Sequence, residues 1–234
     1  MLKEELVKKN PLRVLHPAQG DACPDYRMGL VIARAGLGKT AILVQIALDS
    51  IMRGQKVLHV SIGQSLEKAK AWYDDIFRHL VEGQSSEKVV ALDEDVLRSR
   101  MIMTFKESSF SRPKLEERLN DLVYQNIFRP DCVVVDGLDF TAADRDSLLD
   151  LRELMVAMNV QVWFSALSHR DDTRVSTDGI PAPCHEVGDL FDTVILLQAE
   201  QQGIRLEIIK DTTGCASPEV ALMLDPSTMM VKAV

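Results

Sequence analysis

Eight residues, Ala33-Arg34-Ala35-Gly36-Leu37-Gly38-Lys39-Thr40, have the types and spacing to hold a phosphate. Glycines at 36 and 38 let successive backbone N–H groups turn inward toward anionic oxygens. Residues Ala35 to Thr40 are therefore the candidate cradle. Lys39 is placed to reach the β- and γ-phosphates, and Thr40 to offer its hydroxyl to Mg²⁺. Ala33 stands where the usual pattern has glycine, and it ends a strand, where a positive φ is not needed. The competing reading is a glycine-rich turn that binds nothing. The flanks weigh against it: an apolar stretch, Gly29 to Ile32, leads in, and a helical pattern from Ala41 leads out. A helix starting there points the positive end of its dipole at the anion.

A second chemical group lies far along the chain. Asp136 follows Cys132-Val133-Val134-Val135, a β-branched run with the character of a buried strand. An acid at the carboxyl edge of such a strand, paired with a phosphate loop, holds Mg²⁺, usually through water.

The elements that must position these groups alternate between strand and helix. The pattern predicts a helix over 40–52, stopped near Gly54, then a strand over 57–62 and a helix capped by Ser65. Its apolar stripe is Leu66, Ala69, Tyr73, Ile76, Phe77 and Leu80. Residues 83–99 allow a short helix, and 101–105 a strand. Ser111 and Pro113 open a helix carrying Leu115, Leu119, Leu122, Val123 and Ile127. A helix over 144–158 and a strand over 160–165 follow. Gly179, Pro181 and Pro183 predict a mobile loop over 170–185. Strands over 193–197, 204–209, 219–224 and 229–232 have short connections and read as antiparallel. The fold class is α/β: a mostly parallel sheet extended by C-terminal antiparallel strands, in one domain.

Composition narrows the function classes. The chain has 234 residues, 46% of them hydrophobic but only 5% aromatic, so its core is mainly aliphatic. The net charge of −8 opposes a large nucleic-acid surface. Arg112, Lys114 and Arg118 are diluted by Glu116, Glu117 and Asp121 and read as a solvated helix face. The longest apolar runs are far short of a membrane span. The charged start MLKEELVKKN lacks the apolar segment of a signal peptide, which points to the cytoplasm. Cys23, Cys132, Cys184 and Cys215 are scattered, with no metal-ligand spacing, and read as reduced thiols. The five histidines are equally dispersed.

With both halves of the site in view, the chain resembles the RecA-like P-loop ATPases. More narrowly, it resembles the motor domain of DnaB-type replicative helicases, with RadA and KaiC as relatives. Besides the phosphate loop and Val133-Val134-Val135-Asp136, the likeness rests on strand two, Val57 to Ile62. It rests also on Trp163-Phe164-Ser165-Ala166-Leu167-Ser168-His169-Arg170, on Phe191-Asp192-Thr193-Val194-Ile195-Leu196-Leu197, and on Ile208 through Gly214. The resemblance implies a three-layer fold over residues 29–234, preceded by a lead-in segment at 1–28, with ATP or ADP and Mg²⁺ as ligands.

It also implies losses. Gly63 falls where the helicases place the Glu that activates water, Ala166 where they place a γ-phosphate-sensing Gln, and Thr212 where they place a trans-acting Arg. Of that last pair only Lys210 remains. Gln64, Glu67 and Asp139 are the candidate substitutes for the missing acid, and Ser165 and Ser168 could donate hydrogen bonds near the γ-phosphate. His169 and Arg170 open the loop that follows. The expectation is a Mg·ATP-binding module with weak or absent hydrolysis, regulating a protein partner and binding nucleic acid weakly or not at all. The alternatives are an ATPase acting in DNA transactions through a substitute acid, and a scaffold that no longer needs nucleotide.

Overall fold

Strands that are apolar at every position need cover on both faces, and the helices of this chain supply it. The computed structural model describes residues 2–15, 27–214, 216 and 220–234. In chain order the elements are α1 (Leu2–Lys9), β1 (Met28–Ala33), α2 (Lys39–Met52), β2 (Val57–Ile62), α3 (Leu66–Leu80), α4 (Ser86–Ser99) and β3 (Arg100–Phe105). They continue with α5 (Arg112–Tyr124), β4 (Cys132–Asp136), α6 (Arg145–Met158), β5 (Gln161–Leu167), β6 (Thr193–Glu200), β7 (Gly203–Asp211), β8 (Leu222–Leu224) and β9 (Val231–Ala233). The strands form one sheet in the order β3-β2-β4-β5-β1-β6-β7-β8-β9. The run from β3 to β6 is parallel, and β7, β8 and β9 are added antiparallel.

Side-chain alternation divides the core in two. Val31 and Ala33 of β1, Val134 of β4 and Trp163 of β5 pack with residues of α1, α2, α3 and α4. Leu30 and Ile32, Val133 and Val135, and Phe164 pack on the opposite side with α5 and α6. The result is a three-layer α/β architecture. The same alternation puts Asp136 two residues beyond Val134, on the α2 side, and Ser165 two beyond Trp163 on that side too.

Helix α2 is buried from Ala41 through Met52, including Gln45, Asp49 and Ser50. Its buried polar groups are satisfied. The Gln45 amide donates to the Met229 carbonyl at 2.9 Å and accepts from the Val231 N–H at 2.9 Å, fastening α2 to the antiparallel end of the sheet. Asp49 accepts from Asn10 at 2.6 Å and from Arg53 at 2.7 Å. His59 on β2 is buried beside Tyr73, its Nδ1 3.2 Å from the phenol oxygen. Burial pushes this imidazole down to about 4, so it is neutral near pH 7 and serves packing.

Several elements depart from sequence expectation. The segment before β1 is more than a lead-in: α1 and a 3₁₀ turn over Pro11–Leu15 bring Leu6, Leu12, Val14 and Leu15 into the core of α2. The ambiguous stretch after Gly83 forms the full helix α4, with Leu92 and Val96 buried. Ile127 lies past the end of α5 and is exposed, because the chain turns at Asn126. The segment over 170–185 is not an open loop. Val175 bridges Pro181, and Ile180, Ala182 and Cys184 are buried. The glycine and prolines mark a turn, and the apolar residues between them pin it to the second core.

Cys132 and Cys184 are free, and burial pushes both thiols up to about 12. Cys23, Cys215, His16 and Glu219 lie outside the described residues. Among the described residues no helix is long and apolar enough to cross a membrane.

Candidate phosphate-binding site

The loop between β1 and α2 has the backbone its glycines allow. Gly36 and Gly38 sit at φ 78° and 87°, and Gly38 caps α2, its carbonyl accepting from Ile42 N–H at 3.0 Å. A Cβ on Gly38 would lie 2.5 Å from Leu224 Cδ2, so β8 closes one side of the loop. Ala33 ends β1 and needs no left-handed geometry.

Lys39 Nζ donates to the carbonyls of Ala33 and Arg34, each at 3.2 Å. Burial lowers the pKa of this ammonium, and the Asp136 carboxylate opposes the shift. A partly desolvated ammonium bonded to two neutral carbonyls still favours an anion.

Thr40 and Asp136 are 96 residues apart, yet the Thr40 hydroxyl donates to Asp136 Oδ2 at 2.7 Å. Ser165 donates to Asp136 Oδ1 at 2.5 Å, and the Gly137 N–H donates to Ser165 Oγ at 3.2 Å. Strand order explains the meeting. β5 lies between β1 and β4, so the start of α2 spans from the end of β1 over β5 to the end of β4. The hydroxyl proton of Ser165 thus goes to Asp136, while Ser165 still lines the cleft in which a hydrogen bond near the γ-phosphate was expected of it.

Thr40, Asp136 and Ser165 together present oxygens only, with one carboxylate. This is the donor set of a hard cation such as Mg²⁺, which takes one or two carboxylates and completes its shell with phosphate and water. Among the described residues no group of three or more His, Cys, Asp or Glu could hold a metal ion by itself. The set fits an ion that arrives with phosphates.

The loop opens on a cleft of about 1030 Å³ over the carboxyl ends of the central strands, lined by Gly36, Gly38, Lys39, Thr40, Asp136 and Ser165 among others. Its lining also includes Trp72, Phe110, Phe140 and Leu151, and it is large enough for a nucleotide.

The three substitute acids and amides are not equivalent. Gln64 lines the cleft, half-buried. Asp139 lines it as well, but its Oδ1 accepts from the Thr141 N–H at 2.9 Å and the Thr141 hydroxyl at 2.6 Å. These bonds hold its pKa below the usual carboxylate value and make it a poor base. Glu67 stands in the first turn of α3, exposed and outside the cleft, with Ser65 capping that helix through a 3.2 Å bond from the Lys68 N–H.

Of the positions the resemblance marks as lost, Ala166 is buried in the α5–α6 core and away from the cleft wall. Lys210 donates to the Gly188 carbonyl at 2.9 Å, and Thr212 Oγ1 to the Asp192 carbonyl at 3.3 Å. His169 lines the cleft and its electrostatic field lowers the Asp139 pKa further, while Arg170 lies on the neighbouring surface.

Sequence reading missed Glu107, which lines the cleft from the turn after β3. The only local signal was an acid just past a strand. That this strand neighbours β2 is a tertiary fact.

Gly63 has φ 74°, and a Cβ there would lie 2.5 Å from Glu107 Oε1. Gly63→Glu would put an acid at the position that the resemblance marks, but it is expected to destabilise the protein and not to activate it. The left-handed backbone alone costs a non-glycine residue about 1–2 kcal/mol, and a second carboxylate would crowd the first. Thermal unfolding should show a loss of roughly 2–8 °C. An unchanged midpoint with a large gain in turnover would refute this.

No protein-family model matches the chain, and no curated protein matches it significantly in sequence.

Proposed function

We propose that the protein is a RecA-like, DnaB-like P-loop module that binds Mg·ATP and hydrolyses it slowly, its nucleotide state governing a protein partner. The observation that supports this best is the 2.7 Å bond between Thr40 and Asp136. It joins the two halves of a Mg·phosphate site at the mouth of a nucleotide-sized cleft, with Lys39 beside them. In this reading the N–H groups of residues 35–40 and Lys39 bind the phosphates, while Thr40 and Asp136 hold the ion, which offsets phosphate charge. Gln45 and Leu224 link the loop and its helix to β8 and β9, so a change at the phosphates reaches that end of the sheet. Slow turnover follows from a chain with no sensor side chain at Ala166 and no cation at Thr212. A cytoplasmic setting accords with free, buried Cys132 and Cys184.

ATP is favoured over GTP because the chain contains no guanine-reading Asn-Lys-x-Asp string. Calorimetry of the full chain with ATP and ADP, each with and without Mg²⁺, tests the reading. Saturable heat that strengthens with Mg²⁺ is expected. Folded protein giving no heat with either nucleotide would refute it.

The second reading, an ATPase acting on DNA, draws on the acids that line the cleft. Charge separates the two. At a net charge of −8, affinity for random duplex DNA at physiological salt should be weaker than about 10 μM, since phosphate neutralisation supplies most nonspecific binding. Submicromolar, salt-sensitive binding in a fluorescence anisotropy titration would favour the DNA-acting enzyme.

A further inference from the structure

β2 and β3 pair in parallel register, with Ile62 opposite Phe105, and the ladder continues one step past the strands through Gly63 N–H donating to Phe105 O at 2.9 Å. The chain leaving β3 must therefore run beside the chain leaving β2. A 3₁₀ turn over Glu107–Ser109 holds it there, with Ser109 and Phe110 N–H groups on the Lys106 carbonyl at 2.9 and 3.1 Å. Phe110 packs edge-on against Phe105, ring centres 5.3 Å apart.

This geometry places Glu107 Oε1 2.5 Å, and its Cγ 2.9 Å, from the point where a side chain on Gly63 would begin. The absence of a side chain at Gly63 and the presence of this carboxylate are thus one arrangement: any Cβ at position 63 would displace it. Among the described residues the Glu107 carboxylate has no hydrogen-bond or ion-pair partner, unlike Asp139, and it faces the same cleft as Lys39 and Asp136. A general base needs an unengaged basic group within reach of the water, directly or through one more water, with room to swing. Glu107 is an exposed carboxylate on the cleft lining, which neither Gln64, with no basic atom, nor Glu67, outside the cleft, supplies.

We propose that Glu107, supplied by β3, is the catalytic base of slow ATP hydrolysis at this site, in the place that an acid from β2 would otherwise fill. This rests on the nucleotide reading above. The water oxygen bonds to the γ-phosphorus as Glu107 takes the water's proton. The bond from that phosphorus to the β,γ-bridging oxygen breaks, its electron pair leaving with ADP. The proton then passes from Glu107 to solvent.

The test compares full-length wild type with Glu107→Gln, Asp139→Asn and Glu67→Gln. Calorimetry reads ATP affinity. Chromatography of the isolated complex reads the fraction of bound nucleotide still present as ATP after single-turnover incubation. A third measurement is affinity for ADP with aluminium fluoride, which mimics the attacked γ-phosphoryl group and selects for a positioned water. Glu107→Gln should bind ATP within about threefold of wild type, cleave it at least ~100-fold more slowly, and lose at least about tenfold in affinity for the aluminium fluoride complex. Glu67→Gln, outside the cleft, should keep wild-type values, and Asp139→Asn should cleave ATP faster than Glu107→Gln. Normal cleavage by Glu107→Gln with ATP bound overturns the proposal alone, as does a wild type that binds ATP and never cleaves it. Folded wild type that binds no ATP overturns both this proposal and the nucleotide reading.

Discussion

Lys39→Ala is expected to leave a folded protein that no longer binds ATP. Lys39 is half-buried, and its ammonium spends its hydrogen bonds on two backbone carbonyls at 3.2 Å. Those bonds are neutral-acceptor bonds at the long end of the range, so phosphate oxygens compete well for the same protons. Losing a charge-assisted contact to phosphate costs about 1.5–3 kcal/mol for each bond. Two such bonds amount to a weakening of at least ~100-fold. The fold should tolerate the change, because the side chain leaves the core untouched and α2 is anchored by its buried apolar residues and by Gln45. Calorimetry, with a thermal unfolding midpoint measured beside it, checks both halves. Wild-type ATP affinity in Lys39→Ala would mean that this loop is a strand–helix turn and the ligand binds elsewhere.

The second large effect concerns rate. Wild-type turnover is expected far below one per second, on the order of 10⁻³ s⁻¹, as for phosphoryl-transfer sites that lack a stabilising arginine. Two positions account for it. Ala166 is buried in the core, and Thr212 offers only a hydroxyl, which donates to the Asp192 carbonyl. An arginine acting across a subunit boundary is worth 10³–10⁵ in rate, and Lys210 cannot supply it while it donates to the Gly188 carbonyl. Restoring Thr212→Arg alone should recover little, because such groups act together. Steady-state phosphate release by the wild type decides the matter. A rate near one per second or faster would show a fully rebuilt site and remove the slow-module reading.

Much of the architecture was legible beforehand. The expected bounds of β2 match to the residue and those of α2, α3 and α6 within one or two, because their hydrophobic periods are regular, while β8 and β9 are only three residues each, too short to carry a period. The helix α4 was uncertain because only Leu92 and Val96 are buried along it, leaving a faint stripe. Ile127 misled for the opposite reason: it continues the apolar spacing of α5 after the backbone has already turned.

By itself the sequence determined most of the elements and the candidate phosphate loop. Local steric rules and side-chain spacing are written along the chain, and Gly36, Gly38, Lys39 and Thr40 are neighbours in it. Only the tertiary structure decided which distant groups meet. The sheet order brings Thr40 to Asp136 and gives Ser165 to that carboxylate. Parallel pairing of β3 with β2 sets Glu107 over Gly63, while Glu67, nearer in sequence, is carried away by the first turn of α3. Strand adjacency is set by how the two cores pack against the sheet, and that packing is a property of the whole chain that no local window contains.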